Sequence, residues 1–459
     1  MRESINRVVL KKVSFPQEEK GIPILLNDET MQERRQKIIA RMKEHDLDCI
    51  VVYADVEHGA NFEYLTGFIP RFEEALLVLH KNEEAFLLLG NEVLSLAKHS
   101  RIPATALHMS YFSLPDQPLE EAQDIKSVLQ KANIQEGMKV GVVGWKGFYR
   151  VKKLLYDIPY YMIEALMEMK VQLSNATALF ISPENGARTT NNANEIAHYE
   201  FGQILAARGL QRAIQALAPG KTETEIASCL ESEGQVHNVV TICSSGERFE
   251  KANLYPLHKE IQLGDRISLT VGYKGGLASR AAFVANHVQD LKPEWQRYEE
   301  ELAKPYFHAV CTWLKQIHIG MSGEELYTLI NDVLPQTQYH WKLNPGHLTA
   351  DEEWLSSPIY KDSKLLLKSG MMFQIDIIPS KEGYPGCSCE NGIVLADDGL
   401  KEEIKTQYPD VWQRMIERRS YIQQELGISL HEDVLPLTNM VAYYTPYLLQ
   451  KDYAYTWQK

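Results

Sequence analysis

Apolar positions recur at helical spacing over residues 28 to 45, with Met31, Ile38, Ile39 and Met42 on one face and charges elsewhere. Short apolar runs of strand character follow at Cys49–Tyr53, Ala75–Leu79, Ala85–Leu89 and Lys139–Val143. Between the first two lies HGANFEYLTGF, His58 to Phe68, in which His58 is either a ligand contact or a solvated loop histidine. Helices alternating with short strands predict an α/β domain over residues 1–180. The stretch Ser182 to Ala193, rich in Gly, Ser, Thr and Asn, reads as a linker, and a second domain spans residues 190–459.

The second domain repeats a pattern. A long helix, Asn194 to Leu217, stops at Pro219-Gly220, and Thr222 with Glu225 forms a capping box for the next. About a hundred residues later a helix from about Pro293 to His318 stops at Gly320, and Ser322 with Glu325 forms a second box. Each helix pair leads into a similar strand, LGDRISLTVG at 263–272 and KSGMMFQIDI at 368–377. Helix–helix–strand twice over predicts two related halves sharing one sheet and one cleft. Phe373–Ile378 and Asn391–Ala396 read as strands, with Asp376 inside the first and Glu390 at the head of the second. A carboxylate among apolar neighbours is costly unless paired, so Asp376 is a ligand, a base, or an acid held by an internal partner. A last helix is expected from Pro409 to Leu426, before an aromatic tail, YYTPYLLQKDYAYTW, that covers apolar surface on its own domain or on a second subunit.

The chain has 459 residues, 44% hydrophobic and 24% charged, the proportions of an ordinary globular protein of two or three domains. A net charge of −13 argues against nucleic acid or an anionic membrane surface as its main partner. No stretch reaches the roughly 18 apolar residues of a membrane span, and the first residues lack a signal-peptide core, so cytoplasm is the expectation. Six cysteines make no disulfide framework. The pair Cys387 and Cys389 reads as two small residues entering a strand, since no further thiol or histidine lies near at ligand spacing.

These segments together resemble the superfamily of creatinase, prolidase, aminopeptidase P and methionine aminopeptidase, whose catalytic domain is the duplicated pita-bread fold. NFEYLTGF resembles the N-terminal-domain signature of the creatinase and prolidase branch, and GDRISLTVG the first metal-bearing strand. PGHLT, residues 345–349, resembles the metal-histidine segment, and GMMFQID with CSCENGIVLADDG the last two metal strands. The resemblance implies an N-terminal creatinase-like α/β domain, a C-terminal pita-bread domain and a homodimer.

The metallopeptidases of that superfamily hold two divalent metals with two aspartates, a histidine and two glutamates. Here Thr270 stands at the first aspartate's place, and the second falls within Leu277 to Arg280. No Asp or Glu occurs between Arg266 and Gln289. His347 matches the histidine, Asp376 replaces a glutamate, and Glu390 matches the last glutamate. Two close cations repel unless bridging carboxylates offset them, so no dinuclear centre and no cofactor are expected. The alternative is a single Mn, Co or Zn ion on His347, Asp376 and Glu390.

Creatinase lacks the metals and cleaves a C–N bond by acid–base chemistry, with an upstream histidine as proton shuttle and the last-strand glutamate orienting a cationic substrate. His258 falls about where that histidine would, though it reads equally as a surface histidine. Trp354 stands near the place of the superfamily's second histidine, as an aromatic wall for an apolar or cationic ligand or as core. Arg280 either neutralises Asp376 or Glu390 or binds a substrate carboxylate. Three functions follow: a metal-independent hydrolase or lyase on a small C–N or C–X substrate, with His258 and Glu390 catalytic and Arg280, Asp376 and Trp354 binding; a non-catalytic homologue that binds a peptide or small molecule; or a one-metal Xaa-Pro peptidase.

Overall fold

The computed structural model describes residues 5–119, 123–149, 151–230, 233–251 and 255–458. It divides into two units, one formed by Leu26–Thr189 and one by the segment up to Leu25 together with Thr190 onward. The boundary falls inside the expected linker. Strand β1, Val8–Lys12, pairs antiparallel with the last strand, β16, Tyr453–Trp457. That pairing places the first 25 residues with the C-terminal unit, whereas sequence alone assigned residues 1–180 to the N-terminal domain.

In the N-terminal unit the amphipathic helix spans Asp28–Glu44, capped by Asn27, whose side chain accepts the Thr30 N–H at 2.8 Å. Strands β2 (Cys49–Ala54), β3 (Ala75–His80), β4 (Ala85–Leu89), β5 (Thr105–His108), β6 (Lys139–Val143) and β7 (Gln172–Asn175) form one sheet in the order β5-β4-β3-β2-β6-β7. The four apolar runs expected as strands form its centre. β2 and β3 are buried along their full length, as an uninterrupted apolar run requires.

The C-terminal unit opens on a 24-residue helix, Ala193–Ala216, whose start carries a reciprocal capping box between Asn192 and Glu195. Both boxes read from the sequence are present, Thr222 with Glu225 and Ser322 with Glu325. The expected helix from Pro293 is shorter. Pro293–Trp295 is a separate 3-10 turn, and the regular helix Lys304–Gln316 follows a π-type turn over Glu299–Ala303. Pro305 is the cause, because it has no N–H to give the Glu301 carbonyl, which accepts the Lys381 ammonium at 3.1 Å instead.

Two four-stranded sheets carry this unit. One runs β13-β10-β9-β8, from Ser388–Glu390, Gly276–Phe283, Arg266–Tyr273 and Ile242–Ser245. The other runs β11-β12-β14-β15, from His347–Leu348, Met372–Gln374, Gly392–Leu395 and Val434–Pro436. The single shared sheet expected from the repeat is therefore two sheets, which one stretch of chain joins by passing from β13 through Asn391 into β14. The strand expected over Phe373–Ile378 ends at Gln374, so Asp376 lies just beyond it. No helix among the described residues is long and apolar enough to cross a membrane.

The C-terminal extension packs on its own unit. Tyr444 and Tyr455 are buried against Phe307, and the Tyr298 and Tyr444 hydroxyls lie 3.1 Å apart. Arg418, on the helix Pro409–Gln424, is buried between Glu18 at 2.7 Å and Glu200 at 2.8 Å, while Arg414 grips Glu200 with two further bonds. The Glu18 carboxyl lies above the usual carboxylate range, because burial outweighs Arg418.

His308, on the helix under the tail, stacks on Trp457 at 5.3 Å. Burial, with the Lys315 charge adding to it, pushes the imidazole pKa down to about 4. A depressed folded-state value means the unfolded chain takes the proton first as pH falls. The stability from neutral His308 is complete above about pH 6.5 and drains away between there and pH 4. We expect His308→Phe to keep the stack and abolish that loss, so that it gains on the parent by on the order of 1–2 kcal/mol between pH 7.5 and pH 5. Urea midpoints at the two pH values check this; parallel pH dependences would refute it.

Candidate functional site

Four strands bring the chemistry together. Across β9, β10 and β13 the register sets Thr270 opposite Ser279 and Ser279 opposite Glu390. On the other sheet His347 lies opposite Gln374, two residues before Asp376. His347 Nε2 is 3.8 Å from Asp376 Oδ2, and Asp376 acts electrostatically on Glu390 of the other sheet, so the ends of the two sheets meet at one cluster. His347 is fully buried, and Asp376 and Glu390 are buried.

Within Leu277–Arg280, the range the sequence leaves open for the second aspartate of the resembled site, Ser279 is the residue that faces both Thr270 and Glu390. Three hydroxyls link these residues. Thr270 Oγ1 lies 2.8 Å from Ser279 Oγ, Ser279 Oγ lies 3.0 Å from Ser388 Oγ, and Ser388 Oγ lies 2.8 Å from Glu390 Oε1. The three hydroxyls form a neutral hydrogen-bonded chain that ends on Glu390.

Sequence reasoning missed Glu353. The loop after β11 reverses tightly, with the Leu348 N–H donated to the Ser356 carbonyl at 2.7 Å and the Leu355 N–H to the Leu348 carbonyl at 2.9 Å. This turn sets Glu353 Oε1 3.0 Å from His347 Nε2, at ion-pair distance but off the line of the ring N–H. The same turn lays the Trp354 ring on the imidazole, 4.1 Å between centroids and 21° apart. Trp354 is thus a wall of this cluster. His347 Nδ1 faces the Leu348 carbonyl at 3.1 Å, which makes Nδ1 a donor.

The electrostatics follow from that crowding. Burial opposes the charged form of His347, but the Glu353 and Asp376 carboxylates outweigh it and raise its pKa. Burial lifts Asp376 to about 7, with His347 pulling down and Glu353 pushing up. Burial, then repulsion from Asp376, holds Glu390 well above the usual carboxylate range. Asp376 Oδ1 has no hydrogen-bond partner among the described residues.

Arg280 does not neutralise the acids through an ion pair among the described residues. Its side chain is buried, and the guanidinium makes no ion pair with Asp376 or Glu390 among the described residues; four of its N–H bonds go to main-chain carbonyls. Nε donates to Tyr443 O at 2.7 Å, Nη1 to Ser279 O at 2.6 Å and Glu390 O at 3.3 Å, and Nη2 to Met440 O. The reason is direction: the side chain turns toward the C-terminal tail, which supplies two of the carbonyls. His258 is exposed on the segment before β9, and no contact among the described residues ties it to the acids. His58 lies in the N-terminal unit, beside Asp55 and Trp145.

The residues do not fit a pair of divalent cations. Two of the five ligand positions carry hydroxyls already bonded to each other, and Asp376 is one methylene shorter than the glutamate it replaces. Among the described residues no group of three or more His, Cys, Asp and Glu side chains is arranged to hold a metal ion.

Residues 34–167 match the creatinase/prolidase N-terminal domain, and residues 198–400 match metallopeptidase family M24. Among solved structures, a prolidase from Pyrococcus horikoshii is similar at 17% identity and a TM-score of 0.61, covering 79% of this chain and 95% of that one. An Xaa-Pro dipeptidase from Bacillus anthracis is similar at 16% and 0.60, covering 80% and 96%. An X-Pro aminopeptidase from Thermotoga maritima is similar at 18% and 0.58, covering 79% and 94%. No curated protein sequence matches the chain.

If Arg280 is a structural tie, Arg280→Met strands four buried carbonyls and costs roughly 3 kcal/mol or more. Arg280→Lys, which lacks the planar fork, recovers only part. Chemical denaturation measures both; unchanged stability with weakened ligand binding would return Arg280 to the binding groups.

Proposed function

The chain belongs to the creatinase/prolidase/aminopeptidase P superfamily, a hydrolase-type superfamily, and from that premise we propose that its C-terminal unit cleaves a C–N bond of a small cationic substrate by acid–base chemistry, without a dinuclear metal centre. The observation that carries this reading is the meeting of two buried, proton-hungry carboxyls, Asp376 and Glu390, with an imidazole that Glu353 keeps charged.

Each group has a role suited to its surroundings. Glu390, held protonated by burial, gives its proton to the departing nitrogen. Asp376, poised near neutrality with Oδ1 unbonded, takes a proton from the attacking water. The proton count closes, since one acid gives what the other receives. The His347 imidazolium, beside Asp376, is a fixed positive charge that favours the ionised form of this base before it takes the proton. Trp354 forms the wall, and its ring favours a cation beside the acids. His258 has no part in this arrangement.

A second reading, a homologue that binds but does not turn over its ligand, rests on Trp354 lying flat on a fully buried His347. An assay of small amidines, guanidino compounds and Xaa-Pro dipeptides, with and without a chelator, separates the two. We expect chelator-insensitive hydrolysis that falls roughly 10²- to 10⁴-fold in Glu390→Gln and Asp376→Asn, with affinity retained. His258→Ala should turn over like the parent. Binding without hydrolysis would favour the second reading, and hydrolysis abolished by chelator would sink the first.

A further inference from the structure

We infer that Thr270, Ser279 and Ser388 are positioning residues that hold Glu390 with neutral hydrogen bonds, and that the hydroxyls at 270 and 279, more than the shorter Asp376, are what keep this site from accepting a pair of divalent cations. The three hydroxyls and Glu390 form an unbroken chain with steps of 2.8, 3.0 and 2.8 Å. Each hydroxyl has one proton to give. When Glu390 accepts, donation must run from Thr270 to Ser279 to Ser388 to Glu390, and when Glu390 carries the proton the order reverses. In both orders the interior hydroxyls give one bond and receive one, so Glu390 is held in place whichever form it takes.

The backbone supports the second half of the inference. Thr270, Ser279 and Glu390 are consecutive cross-strand neighbours on β9, β10 and β13, and directly opposed residues place their Cβ atoms about 4.5–5.5 Å apart. Acids at 270 and 279 would therefore face each other and Glu390, with His347 and Asp376 across the cluster. Like charges directly opposite across strands are destabilising. Hydroxyls at these two places remove that repulsion, so the fold closes here without needing a cation to bring acids together. The disagreement with the superfamily's metal set is thus confined to side chains on an intact frame.

The test uses the full chain and metal ions alone, with no turnover, so its failure is separable from failure of the proposed reaction. Thr270→Asp/Ser279→Asp is titrated with Mn²⁺, Co²⁺ or Zn²⁺, followed by metal content after gel filtration and by thermal melting. The expected result is a low melting temperature without metal, a rise on metal addition that a chelator reverses, and one to two ions retained per chain. Thr270→Asn/Ser279→Asn, equal in size and neutral, should show neither response. Ser388→Ala, which cuts the chain beside Glu390, should leave the metal response of the acidic pair in place. Two ions held per chain by the unaltered protein would overturn the inference. So would an acidic pair that folds and takes up none, or one that fails to fold with metal present while the Asn pair folds.

Discussion

The C-terminal unit depends on a buried guanidinium that answers to carbonyls rather than to a carboxylate. Arg280 ties its own strand β10 to β13 through Glu390 O and to the tail through Tyr443 O and Met440 O. A buried cation without such bonds would cost several kcal/mol, so the tail cannot leave without stranding it. The aromatic packing of Tyr444 and Tyr455 on Phe307 then has a second purpose beyond covering apolar surface: it fixes the carbonyls that fix the back of the site. The β1–β16 pairing and the Arg418 pairs with Glu18 and Glu200 extend the same constraint to the first residues of the chain.

Because Arg280 points away, its charge reaches Glu390 only as a distant pull. Its influence on that carboxyl ranks behind burial, Asp376, Ser388 and Glu353. The acids are therefore governed by one another and by His347. Glu353 and Asp376 crowd one imidazole, Asp376 in turn repels the buried Glu390, and Asp376 and Glu390 are not both ionised at modest cost. A carboxyl lifted to about 7, as Asp376 is, can exchange protons near neutrality, which is what the proposed reaction asks of it.

Much of this was legible in the sequence. Uninterrupted apolar runs gave the central strands β2, β3, β4 and β6, because a strand buried on both faces has no choice of residue type. The two capping boxes announced the duplication, since their chemistry is local, a side chain bonding an N–H three residues on. His347 lies beside Asp376 and against Trp354, and Asp376 acts on Glu390, while His258 and the Arg280 guanidinium stand apart from them. What the sequence could not show depends on distant partners. Arg280 meets residues about 160 positions away, Ser279 is identified by cross-strand register, and Glu353 is brought to His347 by a turn without a marked sequence pattern. The acid six residues after the histidine was visible, but only the reversal at Leu348 and Ser356 gives it meaning.

The replacement of acids by hydroxyls also explains how one fold can serve with or without metal. A site built on four carboxylates is strained when empty, because repulsion between like charges works against closing the strands around it. Exchanging Asp for Thr and Ser at facing positions removes that strain and leaves a closed, hydrogen-bonded frame. The exchange also withdraws the ligands that would let an ion polarise water. In the proposed reaction, activation of water falls to a carboxyl that titrates near neutrality, and burial lifts Asp376 to about 7. In that proposal the hydroxyls at 270 and 279 and the raised Asp376 belong together: fewer ionised acids leave less charge to draw a cation and a carboxyl free to exchange a proton.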